Sequence, residues 1–110
     1  MVQILKTKGE FDTALEYEGL VVVDFFATWC GPCKAIAPTY ETFPEKYPDA
    51  RFYKVDVDES KSLAQLNNIT AMPTFVFFRN GEEVDRVRGA DLHRIIKILE
   101  EDKKNHGKKH

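Results

Sequence analysis

Leu20-Val21-Val22-Val23-Asp24-Phe25-Phe26-Ala27-Thr28-Trp29-Cys30-Gly31-Pro32-Cys33-Lys34 runs an apolar, β-branched and aromatic stretch directly into two cysteines three positions apart. Leu20 to Phe26 has the composition of a central strand covered on both faces. Asp24 is its one charge. From Cys30 onward the period changes, and Ile36, Tyr40, Phe43 and Tyr47 fall four, three and four apart on one face of a helix. The cysteines therefore stand where a strand hands over to a helix.

The flanks continue the alternation. Val2 to Leu5 is a short apolar strand, and Thr7 and Glu10 have capping-box spacing ahead of a helix bearing Phe11, Ala14 and Leu15, with Gly19 as its end. Pro38 and Pro44 predict a bend and then a weakened or broken end in the second helix. Arg51 to Val57 reads as a strand, and Asp58 or Ser60 caps a short helix carrying Leu63 and Leu66 that fades at Asn67-Asn68. Thr74 to Phe78, Asn80-Gly81 and Glu83 to Arg88 form a hairpin signal. Leu92, Ile95, Ile96 and Leu99 mark a last amphipathic helix capped by Asp91. The order is β-α-β-α-β-α-β-β-α, an α/β fold with a central mixed sheet and helices on both faces.

The 110 residues, 43% of them hydrophobic, make one domain, residues 1–102, large enough to fold without a metal or disulfide staple. Residues 103–110 carry four lysines and no acidic or apolar side chain, which predicts a disordered basic tail. Sixteen bases against eighteen acids leave a net charge of -2, which argues against nucleic-acid or membrane binding by bulk charge. Residues 1–102 keep twelve of those bases against all eighteen acids, so the body is acidic, near -6. No apolar run approaches the roughly 20 residues a bilayer requires, and Met1 to Lys6 reads as the start of the fold rather than an export signal. The expected compartment is the cytoplasm, with the nucleus also open to the protein. In such a reducing setting a close cysteine pair is more often catalytic or metal-binding than structural.

Side chains three apart on a helix sit about 5–6 Å from each other at Cβ, within reach of a reversible disulfide. If Cys30 caps the helix, its sulfur faces the unpaired amides and the positive end of the dipole, which favours thiolate. Pro32 has no N–H, so Cys33 supplies the donor within that turn. Cys30 is then the nucleophile, and Cys33, pointing further inward, stays protonated until needed. Metal binding and inert burial are the other readings of the pair. A zinc site generally needs four ligands, and beyond the two sulfurs the chain offers only His93, His106 and His110. Gly31 and Pro32 between the sulfurs, with Trp29 before them, favour redox chemistry. Asp24, among valines and phenylalanines, predicts a raised pKa, and a carboxyl near Cys33 can accept that thiol's proton. A structural ion pair with Lys54, on the next strand by pattern, is the alternative.

On these residues, and on Lys54-Val55-Asp56-Val57-Asp58, Met72-Pro73-Thr74, Asn80-Gly81 and Gly89-Ala90 in that order, the chain resembles the thioredoxin family over nearly all of residues 1–105. It is most similar to the small cytosolic thioredoxins of eukaryotes. Thioredoxins are themselves the standing example of a cysteine with a lowered pKa and a tuned redox poise. The resemblance implies the thioredoxin fold and a general protein dithiol–disulfide oxidoreductase working through Cys30 and Cys33, with Asp24 and Lys54 paired beside them. It implies a cis Met72–Pro73 bond, where sequence alone favours trans. It also implies a flat apolar docking surface for extended substrates, built from Trp29, Gly31, Pro32, Met72, Pro73, Gly89 and Ala90. Core packing is the competing reading for Trp29.

The same resemblance implies no bound cofactor or metal, recycling by an NADPH-dependent thioredoxin reductase, and partners such as peroxiredoxins, methionine sulfoxide reductases and ribonucleotide reductase. With no third cysteine, a monomer is expected. A thiol oxidase or isomerase of this fold, and a binding module using the same face without turnover, are the alternatives. Oxidases commonly carry His before the second cysteine, where this chain has Pro32. Three positions depart from the family pattern. Arg88 replaces a small apolar residue, which predicts a preference for acidic partners; Pro44 puts the length of the second helix in question; Phe26 stands where Trp is frequent.

Overall fold

Val21, Val22, Val23 and Phe25 are at most 1% exposed because β2 (Leu20–Phe26) has a strand on each side and a helical layer over each face. A computed structural model describes residues 2–106 of the chain. Its five-stranded sheet has the order β1-β3-β2-β4-β5. Here β1 (Gln3–Ile4) and β3 (Arg51–Asp56) run parallel to β2, while β4 (Thr74–Arg79) is antiparallel to β2 and β5 (Glu82–Arg88) antiparallel to β4. Consecutive strands that run parallel need helical crossovers, and these are α1 (Lys8–Ala14), from β1 over to β2, and the pair α2 (Gly31–Tyr40) and α3 (Phe43–Lys46), from β2 to its neighbour β3. The remaining helices are α4 (Lys61–Leu66) and α5 (Leu92–His106). This is the predicted mixed sheet flanked on both faces.

Alternation along β2 divides the core in two. Val21, Val23 and Phe25 join Phe11 and Ala14 of α1 and Leu63 of α4. Leu20 and Val22 join Ile36 and Tyr40 of α2, Phe43 of α3, and Ile95 and Leu99 of α5. Because Asp24 is in phase with Val22, it faces the α2 side.

Local signals set most boundaries. Thr7 and Glu10 form the full capping box of α1, and Asp91 Oδ1 accepts from the Arg94 amide at the start of α5. Asn80 and Gly81 turn the hairpin at φ values of +55° and +79°, matching a type I′ turn. A register shift at Phe77/Phe78 leaves Val84 as an extra, exposed residue in β5.

Several boundaries differ from expectation. α1 ends at Ala14, short of Gly19, whose role is instead a close approach: a Cβ there would lie 2.7 Å from the Asp49 carbonyl oxygen. α2 ends at Tyr40, and Pro44 sits in the first turn of the separate α3, where a missing N–H costs nothing. Pro38 lies inside α2. Ser60 is the N-cap residue of α4, but its hydroxyl donates to the Lys6 carbonyl at 2.9 Å rather than capping, and Leu66 is exposed. α5 continues through Lys103 to His106, four residues into the stretch expected to be disordered. Lysine is a good helix former, and Lys103 and Lys104 meet the negative end of the dipole. The rest of that stretch, residues 107–110, lies outside the described residues. Among the described residues no helix is long and apolar enough to cross a membrane.

Candidate active site

Cys30 is the N-cap of α2, with extended backbone at φ -88° and ψ 114°, and Pro32 occupies the first turn. Its Sγ accepts the Cys33 N–H at 3.2 Å, the donor left after proline removes its own. The Cα atoms are 5.3 Å apart and the two sulfurs are joined as a disulfide. Both cysteines are buried, Cys30 at 5% exposure and Cys33 at 4%. Among the described residues no group of three or more His, Cys, Asp or Glu is placed to hold a metal.

The loop before β4 reaches the same sulfur. Met72–Pro73 is cis, and the Met72 carbonyl oxygen lies 3.6 Å from Cys30 Sγ. The Gly89 amide donates to the Pro73 carbonyl at 2.7 Å, tying the end of β5 to that loop. Ala90 and Pro32 line one shallow hollow. Of the residues expected to form a docking surface, Met72 brings its carbonyl to the sulfur and Gly89 is tied to the adjoining Pro73, with one change in character. Trp29, Gly31, Pro32 and Ala90 are exposed and Met72 and Gly89 half-buried, but Pro73 is buried. It shapes the loop more than it presents a side chain. Trp29 is 64% exposed, which removes the core-packing reading, and its Nε1 donates to Asp58 Oδ2 at 2.8 Å.

Beneath the pair, a cleft of about 260 Å³ is lined by Asp24, Cys33, Lys34, Tyr40, Glu41 and Lys54, among others. Asp24 is 4% exposed, and its Oδ1 has no hydrogen-bond partner among the protein groups. Burial pushes its carboxyl from 3.8 up to about 7, against the opposing pull of the Lys54 charge. The Tyr40 hydroxyl, donating to the Tyr53 carbonyl at 2.7 Å, is buried and its phenol is pushed well above 10.

The expected Asp24–Lys54 contact is different in detail. The strands do set the two opposite each other in register, yet Lys54 Nζ makes its ion pair with Glu41 Oε2 at 3.5 Å. Glu41 is the C-cap residue of α2 and exposed, whereas Asp24 is buried, so the ion pair sits at the solvent side of the cleft. Sequence reasoning missed Glu41 and Asp58. Asp58 stands just past β3 in the sequence, but no local spacing marks Glu41, whose partner Lys54 is brought to it by the fold.

The family model described as Thioredoxin matches residues 2–101. The chain belongs to the thioredoxin family. It is 58% identical over 91 residues to Thioredoxin-1 of Saccharomyces cerevisiae, covering 83% of this chain and 88% of that one. The X-ray structure of Fasciola hepatica thioredoxin superposes with a TM-score of 0.88 at 40% identity, over 92% of this chain and 99% of that one. A yeast chain, from structural work on the thiol resolving mechanism in mitochondrial 1-Cys peroxiredoxin via glutathione/thioredoxin systems, gives a TM-score of 0.86 at 37% identity, over 91% and 94% of the two chains. As in other thioredoxin-family chains, Cys30–Cys33 is a redox-active disulfide, and the protein is a dithiol–disulfide oxidoreductase.

Proposed function

We propose that this thioredoxin-family chain serves as a general reductant of protein disulfides, with Asp24 as the proton acceptor of its second step. The observation that carries the reading is the Cys30 sulfur at the mouth of α2, held by the Cys33 amide at 3.2 Å. In the reduced protein that amide and the helix dipole favour the Cys30 thiolate. The thiolate attacks one sulfur of a substrate disulfide, forming a mixed disulfide and releasing the other sulfur as a thiolate. Cys33 then gives its proton to the Asp24 carboxylate across the cleft and attacks Cys30 Sγ. The Cys30–substrate bond breaks, the second substrate sulfur leaves as a thiolate and takes up a proton, and two electrons have passed from the protein to the substrate. A base that titrates near 7 is matched to this work at neutral pH.

The substrate approaches as an extended segment over Trp29, Met72, Gly89 and Ala90. Family membership supports recycling by an NADPH-dependent thioredoxin reductase, action in the cytoplasm, and substrates such as peroxiredoxins, methionine sulfoxide reductases and ribonucleotide reductase. The yeast peroxiredoxin work noted above supports the first of these substrates. Insulin reduction tests the reading. Wild type is expected to turn over with dithiothreitol or a reductase as electron source, and Cys33→Ser to stop at a mixed disulfide retaining the substrate. A Cys33→Ser protein that still turns over removes the resolving role.

A further inference from the structure

The cleft under the disulfide holds two carboxylates and two cations, and their pairing is selective. Lys54 could reach toward either Asp24, opposite it in the sheet, or Glu41, above it on α2. Its Nζ is 3.5 Å from Glu41 Oε2 and 5.9 Å from the centre of the Phe26 ring, which fixes the ammonium between helix and strand. Asp24 is left with a buried Oδ1 that nothing in the protein donates to. A carboxylate in a direct ion pair is a poor proton acceptor, because taking a proton would strand the cation.

We propose that Glu41 is a positioning residue for the exchange: by holding the Lys54 ammonium at the mouth of the cleft, it keeps that cation from closing on Asp24 and leaves the buried carboxyl free to receive the Cys33 proton. The proposal rests on the reading of Asp24 as that acceptor. The other groups facing Asp24 do not take over the task, and Lys34, the second cation of the cleft, makes no ion pair with it, the charge that acts on Asp24 being that of Lys54. From α2 those groups are Cys33, Lys34 and Tyr40, whose hydroxyl is engaged with the Tyr53 and Val22 carbonyls. From β3, Asp56 is next on the same face but accepts the amides of Asp58 and Glu59. From β4 and α5 the neighbours are apolar, Phe75 in register with Asp24 and Ile95 and Leu99 on the same side of the sheet.

Both consequences of removing the Glu41 charge act in one direction, since Lys54 is released toward Asp24 and a nearby negative charge is lost. The test is a ¹³C-carboxyl NMR titration of Asp24 in the oxidised full-length protein. In Glu41→Gln the midpoint of Asp24 is expected to fall by about one pH unit or more, as for a carboxyl gaining a close cation. Glu41→Asp, which keeps the charge, holds it nearer the wild-type position. In a Lys54→Met background the same Glu41→Gln change is expected to move Asp24 by less than half as much. An unmoved midpoint in Glu41→Gln, or an equal movement with and without Lys54, overturns the proposal. The acid limb of the pH–rate profile for mixed-disulfide resolution is read alongside and is expected to follow the midpoint downward. If the midpoint moves and the limb does not, the assignment of Asp24 as acceptor falls while the charge arrangement stands.

Discussion

Asp24 works against the stability of the fold it serves. In the folded chain its carboxyl titrates near 7, and in the unfolded chain near 3.8, so between those values the native state holds a proton that the unfolded state has given up. Stability from this group is therefore full below about pH 4 and is lost as pH rises to about 7, on the order of 4 kcal/mol for the whole shift. Asp24→Asn is expected to remove that slope. In urea titrations at pH 5 and pH 8, wild type should weaken at the higher pH while the variant stays level and becomes the more stable at pH 8. Parallel slopes for the two proteins would mean that the carboxyl is not buried uncharged. Asp24 was legible in the sequence because a lone charge in an apolar strand has few explanations. Glu41 was not, because a glutamate on a helix reads as a solvated side chain until strand register brings Lys54 beneath it. Trp29 lay between these cases: its place beside Cys30 was readable, but its hydrogen bond to Asp58 depends on where the chain leaves β3.

Helix and strand ends show what spacing can and cannot predict. The capping box of α1 and the Asn80-Gly81 turn were readable, since each is set by contacts within four residues. The end of α1 was not, because Gly19 is required by the approach of Asp49, thirty positions on in the chain. Two substitutions separate these roles. Gly19→Ala would put a Cβ 2.6 Å from the Tyr17 ring and 2.7 Å from the Asp49 carbonyl, and is expected to destabilise by about 1–3 kcal/mol. Gly9→Ala, inside α1 with its nearest neighbour at 3.9 Å, is expected to stabilise by up to about 1 kcal/mol. Thermal melts check both, and a neutral Gly19→Ala would show that the Asp49 loop yields easily. The second helix was harder to read because one apolar stripe, Ile36 to Tyr47, runs on through both α2 and α3, so hydrophobic period cannot see the break between them.

Across the whole molecule, charge is distributed unevenly about the sulfur. The chain is net acidic, yet Arg88 is exposed on β5 in register with Thr74, the neighbour of Pro73. An acidic substrate docking beside Pro73, over Met72 and Gly89 as proposed above, would meet a cation there. Replacing it, as in Arg88→Val, is expected to slow reduction of an acidic protein disulfide at low salt and to flatten its salt dependence, with little effect on a neutral substrate. Equal salt slopes for the two proteins would remove Arg88 from recognition. The outer strands complete the picture. β1 is two residues long, and β5 is interrupted by its extra residue and bears Glu82, Glu83, Asp85, Arg86 and Arg88. Rims so short, kinked and charged give a neighbouring chain little to zip onto. A protein whose occupation is to welcome foreign polypeptide beside a reactive bond is thereby guarded against templating fibres from its own copies.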